Sequence, residues 1–122
     1  MRTVICKSYT FSASHRLPLH PGKCKNWHGH NYRYEVELMG TPDPTTGMIT
    51  DFDDMDEVVE DRILSHLDHA GHLNDHPAFA DVPPTAENIA GHIFNTLSTA
   101  FRATVSRIRV YETDKCYAEV QI

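Results

Sequence analysis

Asn31-Tyr32-Arg33-Tyr34-Glu35-Val36-Glu37-Leu38-Met39 alternates without a break, with Tyr32, Tyr34, Val36 and Leu38 on one side and Arg33, Glu35 and Glu37 on the other. Successive side chains of an extended backbone point to opposite faces, so a period of two marks a strand with one buried face. Carried backwards, the same phase puts His28 and His30 on the Tyr32 side, looking into the core. Two imidazoles one residue apart on a strand point the same way and can chelate a metal. Cys24 lies four positions before His28, between Lys23 and Lys25, where ammonium groups favour a thiolate.

Towards the N-terminus, residues 3–13 are rich in β-branched and aromatic types and predict a strand with Phe11, Ala13 and then His15 on one face. Residues 17–22, with Pro18, Pro21 and Gly22, form a loop that delivers the chain to Cys24. Towards the C-terminus, residues 40–47 read as a turn and 48–50 as a short extended piece, after which Asp51 or Asp53 can cap a helix. Met55, Val58, Val59, Ile63 and Leu67 follow helical spacing from about residue 54 to 67. A second histidine group, His69, His72 and His76, follows the helix end as a rival metal site, although Gly71 interrupts any continuous helical face. Thr85 reads as the N-cap of a second amphipathic helix carrying Ile89, Ile93, Phe94, Leu97 and Phe101, with Glu87 in its first turn.

Residues 105–113 give a third full strand, with Ile108, Val110 and Glu112 on one face and Arg107, Arg109 and Tyr111 on the other. A carboxylate on the apolar side is costly unless something pairs with it, so Glu112 either reaches water at the strand end or waits for a ligand's donors. Residues 116–122 alternate as a last strand. The order strand, strand, helix, helix, strand, strand predicts an α+β fold: a four-stranded antiparallel sheet with two helices on one face, in one domain over residues 1–122.

The formal net charge of −6, with both signs interspersed, leaves no basic stripe to track a phosphate backbone, so nucleic acid is not expected as a partner. No apolar run is long enough to cross a bilayer and no signal-peptide pattern opens the chain, so a soluble, cytoplasmic protein is expected. Three cysteines, Cys6, Cys24 and Cys116, without framework spacing fit free thiols in a reducing compartment. A Gly-rich phosphate loop, a nucleophile elbow and a dinucleotide fingerprint are missing.

His15, His28 and His30 together supply three neutral nitrogen ligands, which for zinc leave a fourth position open to water or a substrate oxygen. Cys24 is then either a nearby base or the fourth ligand of a closed site. Arg16, Lys23 and Lys25 are candidates for meeting an anionic substrate group or are ordinary solvated cations.

Segments 11–17, Cys24 with 28–31, 47–52, 67–69, 84–88 and 111–113 together resemble, in family order, the 6-pyruvoyltetrahydropterin synthase and 6-carboxytetrahydropterin synthase family. The resemblance implies that His15, His28 and His30 bind Zn2+, that Cys24 accepts a proton, and that Asp68 and His69 assist proton transfer. It implies that Glu112 anchors a pterin through its amino and ring N–H groups, with Thr85 and Glu87 also at the substrate. It further implies a tunnelling fold assembled as a homohexamer of two trimers with sites at subunit interfaces, acting on a pterin triphosphate. The short Cys-x3-His-x-His spacing and Thr50-Asp51-Phe52 resemble the bacterial carboxy-forming enzymes of queuosine and 7-deazaguanine synthesis, with acetaldehyde and triphosphate as co-products. Phe11-Ser12-Ala13-Ser14-His15 and Tyr111-Glu112-Thr113-Asp114 look more like the pyruvoyl-forming enzymes, and Trp27 stands where a leucine is expected. A reading of another class is a non-catalytic zinc- or pterin-binding module.

Overall fold

A computed structural model describes residues 1–122. The strand read at 31–39 is the middle of β2 (His28–Gly40), which pairs antiparallel with β1 (Thr3–His15) from Thr3 opposite Gly40 to His15 opposite His28. β3 (Thr104–Thr113) and β4 (Cys116–Gln121) continue an antiparallel sheet in the order β1-β2-β3-β4. Tyr32, Tyr34, Val36 and Leu38 are fully buried, as the alternation requires. The opposite face stays polar: Arg107 pairs with Glu35 at 2.9 Å and Glu37 at 3.2 Å, and Arg109 with Glu119 at 2.6 Å. Antiparallel sheets tolerate one such solvated face.

β3 departs from simple alternation twice. Near its start, the register shifts opposite Glu37 and Leu38, and Ser106, whose hydroxyl donates to the Glu37 carboxylate at 2.9 Å, is the extra residue. That bulge lets Val105 share the core with Ile108 and Val110 despite its odd spacing from them. At the other end Tyr111 pairs with Tyr117 and Thr113 with Cys116, so two steps on β3 answer one on β4 and Glu112 lies in the irregularity. Bulges re-aim side chains, and this one falls at the inward carboxylate.

Both expected helices cover the apolar face. The first is a composite rod of α1 (Phe52–Val59), a π turn (Glu60–Leu64) and α2 (Ser65–Leu67). Asp51, rather than Asp53, is its N-cap and accepts from the Asp53 N–H at 2.8 Å. Its buried residues Met55, Val59, Ile63 and Leu67 are spaced by four throughout. At about 100° per residue, each such step drifts about 40° around an α-helix, and the wider i→i+5 turn takes up that drift. The second helix, α3 (Ala86–Leu97), is capped by Thr85, whose hydroxyl accepts from the Asn88 N–H at 3.2 Å. Residues 48–50 form no strand, and Phe101 lies beyond the end of α3, packed against the core from the following turn. No helix is long and apolar enough to cross a membrane.

Candidate metal centre and adjoining cavity

The β1–β2 register builds the site. His15 stands directly opposite His28, and His30, two residues on, faces Ala13, so all three imidazoles project from the core face at the end of the ladder. Their ring centroids are 4.5, 5.1 and 4.9 Å apart, and one ligand nitrogen from each lies within 4.8 Å of the others. His15 Nδ1 is 2.8 Å from the Pro84 carbonyl and His28 Nδ1 is 2.8 Å from the Asn26 carbonyl. A carbonyl only accepts, so each Nδ1 carries the proton and each Nε2 presents a bare lone pair. Those two Nε2 atoms are 2.9 Å apart, a contact that no hydrogen bond can satisfy without an added proton or a cation. His30 Nε2 is buried and has no hydrogen-bond partner.

Two bare acceptor nitrogens and the unpartnered His30 Nε2 converging on one point suit a metal ion. Tetrahedral zinc with bonds of about 2.1 Å would set its nitrogens about 3.4 Å apart, a small spread from the observed pair. Burial pulls the His15 and His30 imidazoles below their ordinary pKa, favouring the neutral form that ligation needs. The Cys24 thiol lies outside the convergent group and forms no disulfide.

Glu112 comes next to the histidines, with its Oε2 3.7 Å from His30 Nε2, too far for a hydrogen bond. It also lines a cavity of about 490 Å3 with Ala86, Glu87, Cys116 and Tyr117. Glu87 and Glu112 thus face one space, which favours a ligand edge rich in N–H donors. Thr85 borders a separate, more apolar cavity of about 540 Å3 beside Leu17 and Phe79.

Asp68 and His69 form a dyad on the free edge of β1. Asp68 Oδ1 accepts from the Ser12 N–H at 2.9 Å and lies 2.8 Å from His69 Nδ1, while the His69 N–H donates to the Ser12 carbonyl at 2.9 Å. In the neutral ring the carboxylate therefore fixes the tautomer and leaves the Nε2 lone pair exposed. His69 is the one non-glycine residue with positive φ, at 53°, a strained conformation of the kind that clusters at functional sites.

Residues 4–122 match the family described as 6-pyruvoyl tetrahydropterin synthase. The chain belongs to that family. Among its relatives, a 6-pyruvoyl tetrahydrobiopterin synthase of Poecilia reticulata is 40% identical, the match covering 91% of this chain and 84% of the relative. A 6-carboxy-5,6,7,8-tetrahydropterin synthase of Haemophilus influenzae is 33% identical over 96% of this chain and 97% of its own. The solved structure of Caenorhabditis elegans 6-pyruvoyl tetrahydropterin synthase superposes with a TM-score of 0.89 at 29% identity, covering 100% of this chain and 96% of that one. This pterin synthase family member therefore has the tunnelling fold of its relatives.

The family chain does not assemble the rival cluster of His69, His72 and His76. His72 Nδ1 lies 2.5 Å from the Ser14 hydroxyl, and His76 packs against Phe79 and His92. His76 Nδ1 accepts from the Ala78 N–H at 3.0 Å, so its Nε2 carries the proton and the neutral ring has no free lone pair for a metal. Among the candidate cations, the Arg16 guanidinium rests 5.4 Å from the centre of the Trp27 ring, and Lys23 and Lys25 form no ion pair on their exposed turn. The sequence reading missed the Pro84 and Asn26 carbonyls that set the histidine tautomers, because backbone acceptors leave no periodic trace.

Proposed function

We propose that the chain is a zinc-dependent carbon–carbon lyase that converts 7,8-dihydroneopterin triphosphate to 6-carboxy-5,6,7,8-tetrahydropterin, releasing acetaldehyde and triphosphate, in queuosine and 7-deazaguanine synthesis. The supporting observation is the pair of bare Nε2 atoms 2.9 Å apart beside the orphaned His30 Nε2, with Glu112 adjacent. Zinc held by His15, His28 and His30 would supply a Lewis acid for the substrate's side-chain oxygens, easing deprotonation of the neighbouring carbon. Glu112 accepts the pterin's amino and ring N–H groups and fixes the ring, with Glu87 in the same cavity and Thr85 bordering the separate apolar one. Cys24 takes the side-chain proton, and His69, oriented by Asp68, moves protons during triphosphate loss and bond cleavage.

The homohexamer of two trimers, with sites completed between copies, is carried over to this chain from the family resemblance. The polypeptide is read as a single cytoplasmic domain spanning residues 1–122.

A second reading, elimination of triphosphate to 6-pyruvoyltetrahydropterin, is favoured by the higher identity to the Poecilia reticulata relative and by Tyr111-Glu112-Thr113-Asp114. The Cys-x3-His-x-His spacing favours the carboxy product. The test is mass-spectrometric product analysis of zinc-loaded protein given 7,8-dihydroneopterin triphosphate, with acetaldehyde trapped in the same tube. Acetaldehyde matched by carboxytetrahydropterin is expected. A pyruvoyl product without acetaldehyde selects the second reading, and intact substrate selects a non-catalytic zinc- or pterin-binding module.

A further inference from the structure

His15 and His28 form the last pair of the β1–β2 ladder, and the strands part beyond them. Ladder ends open at little cost, so the 2.9 Å approach of the two Nε2 atoms needs support from outside the ladder. One short segment grips the residues that flank both ligands. The Arg16 N–H donates to Asn74 Oδ1 at 2.9 Å, and Asn74 Nδ2 donates to the Arg16 carbonyl at 2.9 Å. The Asn74 amide thereby replaces the missing strand partner of the residue that follows His15. On the other flank, Ser14 forms a parallel bridge with His72 and its hydroxyl meets the His72 ring. That ring lies against the Trp27 indole with centroids 4.1 Å apart and planes 32° apart, and Trp27 immediately precedes His28.

We propose that Asn74 is a positioning residue of the metal centre, assisted by His72: its paired hydrogen bonds to Arg16 hold His15 at a spacing the three histidines can share around one ion. The inference rests on the metal reading of those histidines and adds what presets them. Neither Asn74 nor His72 touches the ion. Their contribution is to affinity and coordination geometry, set in the metal-free protein before the ion arrives.

The experiment is titration of metal-free protein with Co2+, following the visible absorption of the bound ion, for wild type, Asn74→Ala and His72→Phe. His72→Phe keeps a ring on Trp27 and removes the contact to Ser14. Asn74→Ala is expected to weaken Co2+ binding by about ten- to a hundredfold, the range seen when outer partners of metal ligands are removed, and to change the absorption spectrum. His72→Phe changes both in the same direction by less. Ser65→Ala, which removes a bond to the Asp61 carbonyl in the helical rod, is the control for general destabilisation and leaves both unchanged. An unchanged spectrum in Asn74→Ala, whatever its affinity, overturns the inference, and His72→Phe decides in the same way if Asn74→Ala does not fold. Wild type that binds no Co2+ overturns the metal reading itself.

Discussion

Adding zinc to metal-free protein is expected to raise its melting temperature steadily once the free ion exceeds the dissociation constant. His15 Nε2 and His28 Nε2 oppose each other at 2.9 Å with both Nδ1 protons committed to carbonyls, and His30 Nε2 is buried unpaired. A ligand that binds only the folded state stabilises it by about 1.4 kcal/mol per tenfold excess, and by about 4.1 kcal/mol at a thousandfold excess. With an unfolding entropy of about 2.1 cal/mol/K per residue, a chain of 122 residues changes by roughly 0.26 kcal/mol/K, so each tenfold step moves the midpoint by about 5 °C. A thousandfold excess gives a rise of about 16 °C. The assay is a series of thermal melts at buffered zinc concentrations, repeated with His28→Ala. A midpoint independent of zinc would refute the reasoning, and so would an equal rise in His28→Ala, since zinc would then be binding elsewhere.

Tyr34→Phe is expected to stabilise the fold by about 1 kcal/mol in denaturant melts, because the buried Tyr34 hydroxyl has no partner and carries an uncompensated desolvation cost; a loss of similar size would reveal a partner. The pH dependence follows from His76 and His92, both held below the ordinary value of 6.5, chiefly by burial and further by neighbouring histidines. The unfolded chain then binds protons that the native state refuses, so their contribution is complete above pH 6.5 and is lost as pH falls below it. His76→Gln, whose amide oxygen can still accept from the Ala78 N–H, is expected to flatten that slope in melts between pH 5 and 7, and an unchanged slope counts against it. Cys24→Ala and His69→Ala are each expected to be inactive alone and to regain activity when unfolded and refolded together, if the site is completed between copies; a mixture that stays inactive argues for sites within one chain.

The sheet was legible because Tyr32 to Leu38 and Ile108 to Val110 obey the period that burial of one face imposes. The three histidines were legible as core-facing for the same reason, since carrying the strand phase to its end puts them on the buried side; the register that sets His15 opposite His28 came only with the fold. The bulges at Ser106 and Glu112 were not, because an inserted residue leaves composition unchanged and shows only as Val105 falling out of phase with Ile108. Sequence could not show why His15 and His28, and not His76, keep a free lone pair. The difference lies in whether the second ring nitrogen meets a carbonyl or a backbone N–H, which only the folded chain decides. The Asp68–His69 contact was likewise undecided, because adjacency along the chain does not bring Nδ1 to a carboxylate without the positive φ at His69.

The π turn in the helical rod makes the rod one residue longer than its packing demands. Removing exposed Asp61 would shift Ile63 and Leu67 back by one, so the buried positions would run four, three, four apart, the stripe an ordinary α-helix presents. The core would therefore accept the shorter rod. What changes is the exit: the chain leaves the shortened helix with less length to reach Ser12, and Asp68 and His69 lose their grip on the edge of β1. Residue 61 is slack spliced into a helix whose far end delivers Asp68 and His69 to the edge of β1.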